Sequence, residues 1–224
     1  MRVEEASILE QETVRSGMPR EMPQTLSLVV GLAAVVISAL YLLSDLMELA
    51  QGGFSTAQLT LTLVAEAAIP FFVVGLYLLQ RPRIGRLGLT GTILYAYTFV
   101  FFTGTVVFAL VNSTSNWDAL VDRLGAWMTL HGVLMVLAGL ILGVSVTRAR
   151  VFPRWTGWTL AAGVVFIAAS AELPPIAQTL SAGVRDLAFA AMGASLLASP
   201  RRLGVAPPLP LPGGVDVKRE RRAS

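Results

Sequence analysis

Three side chains inside long apolar stretches have the types and positions for chemistry within a membrane. Glu66, His131 and Asp186 each lie several residues inside an apolar run, where an ionised side chain that faces lipid costs roughly 2.5–3.5 kcal/mol or more. A proton shared between Glu66 and His131 fits these residues, because imidazole titrates near neutral pH. A divalent metal held by the two carboxylates and the imidazole also fits them. The other members of this predicted polar cluster, at or just outside the same depth, are Arg185, Glu172 and Asp45.

A purely structural role explains the same residues without a ligand. In that interpretation Glu66 and His131 form a hydrogen bond between two helices, and Arg185 pairs with Asp186 or Glu172 at the membrane surface. Polar side chains near helix ends can also reach water by extending along the helix. The sequence leaves the functional and the structural interpretation open.

Residue composition excludes several classes of site. The chain has no cysteine, which removes disulfides, thiolate metal sites, iron–sulfur clusters and cysteine nucleophiles. It has one histidine, whereas bis-histidine haem, two-histidine iron sites and the HExxH zinc motif need more than one imidazole. We therefore expect no cofactor and no resident metal, and an enzyme is the less favoured class.

Six apolar segments of membrane-spanning length must position these side chains. The chain is 54% apolar and 14% charged, against about 25% charged in a soluble domain. About 20 apolar residues in a helix cross a hydrocarbon core of about 30 Å. We predict an all-α fold, a polytopic transmembrane helical bundle at 25–199, between an N-terminal cytoplasmic arm at 1–24 and a Pro-rich basic cytoplasmic tail at 200–224. The predicted spans are 25–43, 59–79, 87–111, 126–146, 153–172 and 180–198.

The arginines and lysines predict the orientation of the bundle. If both termini are cytoplasmic, fifteen of the 17 basic residues lie on the inner side, as the positive-inside rule requires. The two exceptions are Arg123 and Arg185. The basic residues collect at helix ends and in the tail, so their expected partners are anionic lipid headgroups rather than nucleic acid.

Glycines in the fourth predicted span indicate a close helix contact. Gly132, Gly139 and Gly143 lie on one face, and the last two form a small-xxx-small pattern that lets helices approach closely. We expect packing within the chain, with a homodimer contact as the alternative.

The segment that holds His131 resembles a known kind of membrane protein. It reads LHGVLMVLAGLILGVSVTRARVFPRWTGWTLAAG and is similar to bacterial, often actinobacterial, six-helix membrane proteins of unknown function. The matching positions are His131, Gly139, Leu140, Gly143, Pro153, Arg154 and Gly157. The resemblance implies a bacterial inner membrane and brings no activity, substrate or catalytic residue.

Three functions remain after the sequence has been considered. The first is an integral membrane protein that binds, moves or senses a small solute or ion through the polar cluster in the outer leaflet. The second is an accessory subunit whose glycine face and tail dock a partner. The third is a membrane-embedded metal-dependent hydrolase built on His131 and carboxylates.

Overall fold

The computed structural model describes residues 24–198, and every regular element in that range is an α-helix. The predicted all-helical class is therefore confirmed for this part of the chain. Of the predicted N-terminal arm only Gln24 is described, as the first residue of α1, and the predicted tail lies outside the described residues. The helices are α1 (Gln24–Gln51), α2 (Thr56–Gln80), α3 (Gly85–Val111), α4 (Trp117–Leu124), α5 (Ala126–Ala149), α6 (Arg154–Ala169) and α7 (Pro175–Ala198).

Five helices in residues 24–198 are long and apolar enough to cross a membrane: α1, α2, α3, α5 and α7. The predicted fifth span is shorter than expected. It forms α6, with 16 residues, and at 1.5 Å per residue it is about 24 Å long, less than a full hydrocarbon core. The chain leaves the helix at Ser170, before the two prolines, and Pro175 is the first residue of α7. Five crossings rather than six are thus supported by helix length.

The polar segment between the third and fourth predicted spans contains a short helix that the sequence analysis did not predict. Asn116 is the N-cap residue of α4, and its Oδ1 accepts a hydrogen bond from the backbone N–H of Ala119 at 2.9 Å. Asp118 in the first turn and Arg123 in the last turn complement the helix dipole. Only Leu120 of α4 is buried, so this helix lies at one end of the bundle and adds little to its core.

The six longer helices pack as a closed ring. Neighbours in sequence contact each other from α1 to α3, α5 packs between α3 and α6, and α7 closes the ring by packing against both α6 and α1. The backbone N–H of Phe54 donates to the carbonyl of Ser115 at 2.7 Å, so the α1–α2 and α3–α4 connections lie at the same end. We call this end the α1–α2 end.

Aromatic side chains fill the middle of the ring. Phe72 and Phe189 lie 5.3 Å apart between ring centroids, and Phe189 and Tyr95 lie 5.6 Å apart. Tyr95 also contacts Phe99 at 5.0 Å. These four residues, the aromatic core, are almost completely buried.

Glycines allow α6 and α7 to approach their neighbours. A Cβ atom added to Gly163 would lie 2.6 Å from the backbone nitrogen of Arg185, so the α6–α7 contact requires glycine there. Of the glycines predicted to pack, Gly139 and Gly143 face α6, and a Cβ at Gly143 would lie 2.6 Å from the carbonyl oxygen of Gly157. Gly132 does not share this role, because a Cβ there would meet no atom within 4 Å.

Candidate functional site: a buried polar site

An ion pair on α7 lies at the centre of the polar residues. Nε of Arg185 donates to Oδ1 of Asp186 at 2.9 Å, and Nη2 lies 2.8 Å from the same oxygen without an aligned hydrogen bond. Both residues are buried, with 4% and 5% of their surface exposed. Of the two partners predicted for Arg185, Asp186 is the one found. Glu172 lies exposed in the turn between α6 and α7.

Aromatic rings hold the guanidinium group of Arg185 from two sides. Its Cζ atom lies 4.6 Å from the ring centroid of Tyr41 on α1 and 5.7 Å from that of Phe99 on α3. The negative face of an aromatic ring attracts a cation, and the attraction is stronger where water is absent. Arg185 therefore links α7 to α1 and α3.

Glu66 on α2 is buried and bonded to α1. The hydroxyl of Tyr41 donates to Oε1 of Glu66 at 2.9 Å, and Glu66 has 5% of its surface exposed. Tyr41 thus touches Arg185 with its ring and Glu66 with its hydroxyl, which brings the two charged groups to one place.

Asp45, one helical turn from Tyr41 on α1, completes the group. Its Oδ2 is buried without a hydrogen-bond partner in the described residues, on the helix face that also carries Tyr41. We call Tyr41, Asp45, Glu66, Arg185 and Asp186 the polar site.

The polar site has more negative than positive charge and too few hydrogen-bond donors. The polar site contains three carboxyl groups and one guanidinium group, so full ionisation leaves an excess of two negative charges. Within the described residues, Oδ2 of Asp45, Oε2 of Glu66 and Oδ2 of Asp186 are buried without a partner. A buried charge or acceptor without a partner is costly. The space beside Tyr41, Arg185 and Asp186 is too narrow for a water molecule, so the side chains themselves are packed closely.

His131 does not belong to the polar site. Its Nε2 lies 3.2 Å from the hydroxyl of Tyr97 on α3, and its Nδ1 lies 2.8 Å from the carbonyl oxygen of Trp127. The imidazole stacks on Phe101 with ring centroids 3.5 Å apart. Both nitrogens therefore have local partners, and the predicted hydrogen bond between His131 and Glu66 is not formed.

The common depth predicted for Glu66, His131 and Asp186 is also not found. Helices α2 and α7 begin earlier than the predicted spans, so Glu66 and Asp186 lie ten and eleven residues inside them, about 15 Å and 16 Å along the axis. His131 lies five residues inside α5, about 8 Å along the axis. Measured along the helices, the two carboxylates are thus deeper in the bundle, and the buried histidine is closer to a helix end.

Sequence analysis missed Tyr41 of the polar site, Tyr95 of the aromatic core, and three buried polar residues on α1 and α2: Ser44, Gln58 and Thr62. The signal was helical spacing, since polar residues at intervals of three or four share one helix face. Such spacing connects Ser38, Tyr41, Asp45 and Glu48 on α1, and Gln58, Thr62 and Glu66 on α2. Tyr95 carried no comparable signal, because it lies among the aromatics of α3.

The side chains do not fit a metal centre. No group of three His, Cys, Asp or Glu side chains in residues 24–198 could hold a metal ion, and the only imidazole is bonded elsewhere. This removes the support for the hydrolase interpretation.

Comparison with known proteins assigns no family. No protein-family model matches the chain, no curated protein matches it, and no solved structure matches it.

Proposed function

We propose that this chain is a multi-pass integral membrane protein that binds protons at the polar site and uses them to move or sense a small solute or ion. In the proposed topology six helices cross a bacterial inner membrane, both termini are cytoplasmic, and the α1–α2 end faces outward. The five long apolar helices are compatible with a multi-pass membrane protein. The distribution of basic residues supports the orientation.

The observation that carries this proposal is the mismatch of charge and donors at the polar site. The polar site holds the buried carboxylates of Glu66 and Asp186, the partly buried carboxylate of Asp45 and one guanidinium group, and each carboxylate has a buried oxygen without a partner in the described structure. Two protons would make the site neutral and would supply donors to its unpartnered acceptors. Neutrality matters here because lipid and apolar side chains do not solvate an excess charge.

Protons fit the polar site better than a metal ion or a larger solute. The described residues contain no group of three side chains that could bind a metal ion, and the space beside the ion pair does not admit a water molecule. A proton needs no cavity. The transported or sensed solute therefore binds elsewhere or after a rearrangement of the helices.

The short helix α6 is compatible with a sixth crossing if the bilayer adapts to it. A span that is shorter than the hydrocarbon core is accommodated by local thinning and by flanking side chains that reach the interface, at a modest free-energy cost per ångström. Arg150 lies four residues before α6 and Arg154 is its first residue. We propose that both contact anionic headgroups there.

The accessory-subunit interpretation has less support than proton binding. Gly139 and Gly143, two of the three glycines proposed for docking, pack against α6 within the chain. Gly132 is the one that remains open, and a homodimer contact through it stays a prediction.

Infrared spectroscopy of the purified protein tests proton binding. A protonated carboxyl group has a carbonyl-stretch band that a carboxylate lacks. We expect this band at neutral pH in the unmodified protein, a smaller band in Glu66→Gln and Asp45→Asn, and no change in Glu172→Gln, whose carboxyl is exposed. A spectrum without the band at neutral pH would contradict the proposal.

A further inference from the structure

A second polar network connects the polar site with the α1–α2 end. Nε2 of Gln58 lies 3.1 Å from the hydroxyl oxygens of both Ser44 and Thr62, and 3.4 Å from Oε2 of Glu48. The two hydroxyls also hydrogen-bond to each other. We call Ser44, Glu48, Gln58 and Thr62 the Gln58 network.

The interior part of this network is buried although it is polar. Ser44, Gln58 and Thr62 have 0%, 2% and 8% of their surface exposed. Oε1 of Gln58 is buried without a partner in the described structure. The network, like the polar site, therefore has an acceptor that could take one more hydrogen bond. Apolar residues at these positions would pack α1 against α2 without that cost.

The network and the polar site form successive levels along α1 and α2. Glu48 and Gln58 lie two or three residues from the helix ends, Ser44, Asp45 and Thr62 lie six or seven residues inside, and Tyr41 and Glu66 lie ten residues inside. These positions correspond to depths of about 4 Å, 9 Å and 15 Å. Asp45 lies between the levels of Glu48 and Tyr41, about one helical turn from each along α1.

On the opposite side, aromatic rings lie beside the ion pair of the polar site. Phe72 and Phe189 line the space beside Arg185 and Asp186, and they belong to the aromatic core. These rings offer no hydrogen-bonding groups along which a proton could move. The hydrogen-bonded polar residues found next to Glu66 therefore continue toward the α1–α2 end, whereas on the other side Ser38 and the hydroxyl of Tyr95 are polar groups among aromatic rings.

We propose that the Gln58 network is the route by which protons enter the polar site from the α1–α2 end. This inference rests on the proposed function. A proton passes from water to the half-buried carboxylate of Glu48 and then, with a water molecule at Oε1 of Gln58, to the hydroxyl pair of Ser44 and Thr62. Each hydroxyl accepts one proton on oxygen and releases its own, so both are unchanged after the transfer. Asp45 receives the proton, and Gln58 is a positioning residue that is not itself protonated.

Two threonines on α2 provide a matched test. Thr62 belongs to the network, whereas Thr60 is exposed and its hydroxyl donates only to the carbonyl of Thr56 in its own helix, at 2.7 Å. The rate to measure is that at which the carbonyl-stretch band of the protonated carboxyl groups shifts when the protein in lipid vesicles is transferred to D2O. We expect exchange at least about tenfold slower in Thr62→Val, since a proton relay group is removed, and an unchanged rate in Thr60→Val.

A second variant, Glu48→Gln, tests the same route in case Thr62→Val does not fold. Glu48→Gln changes a half-buried residue at the helix end and removes the entry carboxyl, and we expect the same slowing. Equal exchange rates in Thr62→Val, Glu48→Gln and the unmodified protein would overturn the route and leave the proposed function intact. Absence of the band from the unmodified protein would overturn both.

Discussion

Tyr41 and Arg185 connect groups that the sequence shows only as separate polar residues. The Tyr41 ring lies under the guanidinium group, and the Tyr41 hydroxyl bonds to Glu66. Sequence reasoning identified Glu66, Arg185, Asp186 and Asp45, because ionisable residues in apolar runs are conspicuous. It grouped His131 with them wrongly, since depth along separate helices does not tell which faces meet.

Loss of Arg185 alone should be more damaging than loss of the whole ion pair. Arg185→Met leaves the buried carboxylate of Asp186 without its partner, and we expect the free energy of unfolding in detergent to fall by about 3–5 kcal/mol. The double variant Arg185→Met, Asp186→Leu should recover much of that loss, because an apolar pair of similar volume needs no compensation. A double variant that is less stable than Arg185→Met would contradict the explanation that the loss comes from the unpartnered carboxylate of Asp186.

Two tyrosine-to-phenylalanine variants should show whether the polar site and His131 are independent of each other. Tyr41→Phe removes the donor to Glu66 and should cost about 1–3 kcal/mol, because a buried acceptor loses its partner. It should also shift the carboxyl band in the infrared spectrum. Tyr97→Phe, which removes the partner of His131, is the control and should leave that band unchanged. An equal shift in both variants would mean that His131 and Glu66 are coupled after all.

At the scale of helices, hydropathy predicted where the apolar segments lie but not how they end. Helices α1, α2 and α7 extend into the polar residues of their flanks, because a helix satisfies its own backbone and needs apolar side chains only where lipid or the core contacts it. The double proline at 174–175 indicated the end of the fifth predicted span, yet the helix ends earlier, at Ala169. The ring order of the helices could not be predicted, since pairing depends on contacts between helix faces that composition does not encode.

Two glycines test the helix contacts that hold α7 in place. Gly163→Ala puts a methyl group against the backbone of Arg185, so α6 and α7 must separate, and we expect a loss of about 1–3 kcal/mol in stability. Gly132→Ala meets open space and should be neutral or stabilising by up to about 1 kcal/mol, because alanine favours the helix. Thermal unfolding of both variants in one detergent measures the difference, and equal melting temperatures would contradict the packing described for Gly163.

For the whole molecule, the polar site and the Gln58 network lie toward the α1–α2 end of the ring of helices, and the aromatic core fills its middle. In the proposed route protons enter from the α1–α2 end. The proposed function therefore depends on which side of the membrane that end faces, and on whether α6 crosses.

Labelling with a membrane-impermeant maleimide tests that dependence most directly, because the chain has no cysteine of its own. Single cysteines replace four exposed residues between the helices: Arg83, Ser113, Arg150 and Glu172. In intact cells we expect labelling of Ser113→Cys and Glu172→Cys, and labelling of Arg83→Cys and Arg150→Cys only after the membrane is permeabilised. Labelling of Arg150→Cys and Glu172→Cys from the same side would show that α6 does not cross, and labelling of Arg83→Cys in intact cells would reverse the proposed orientation.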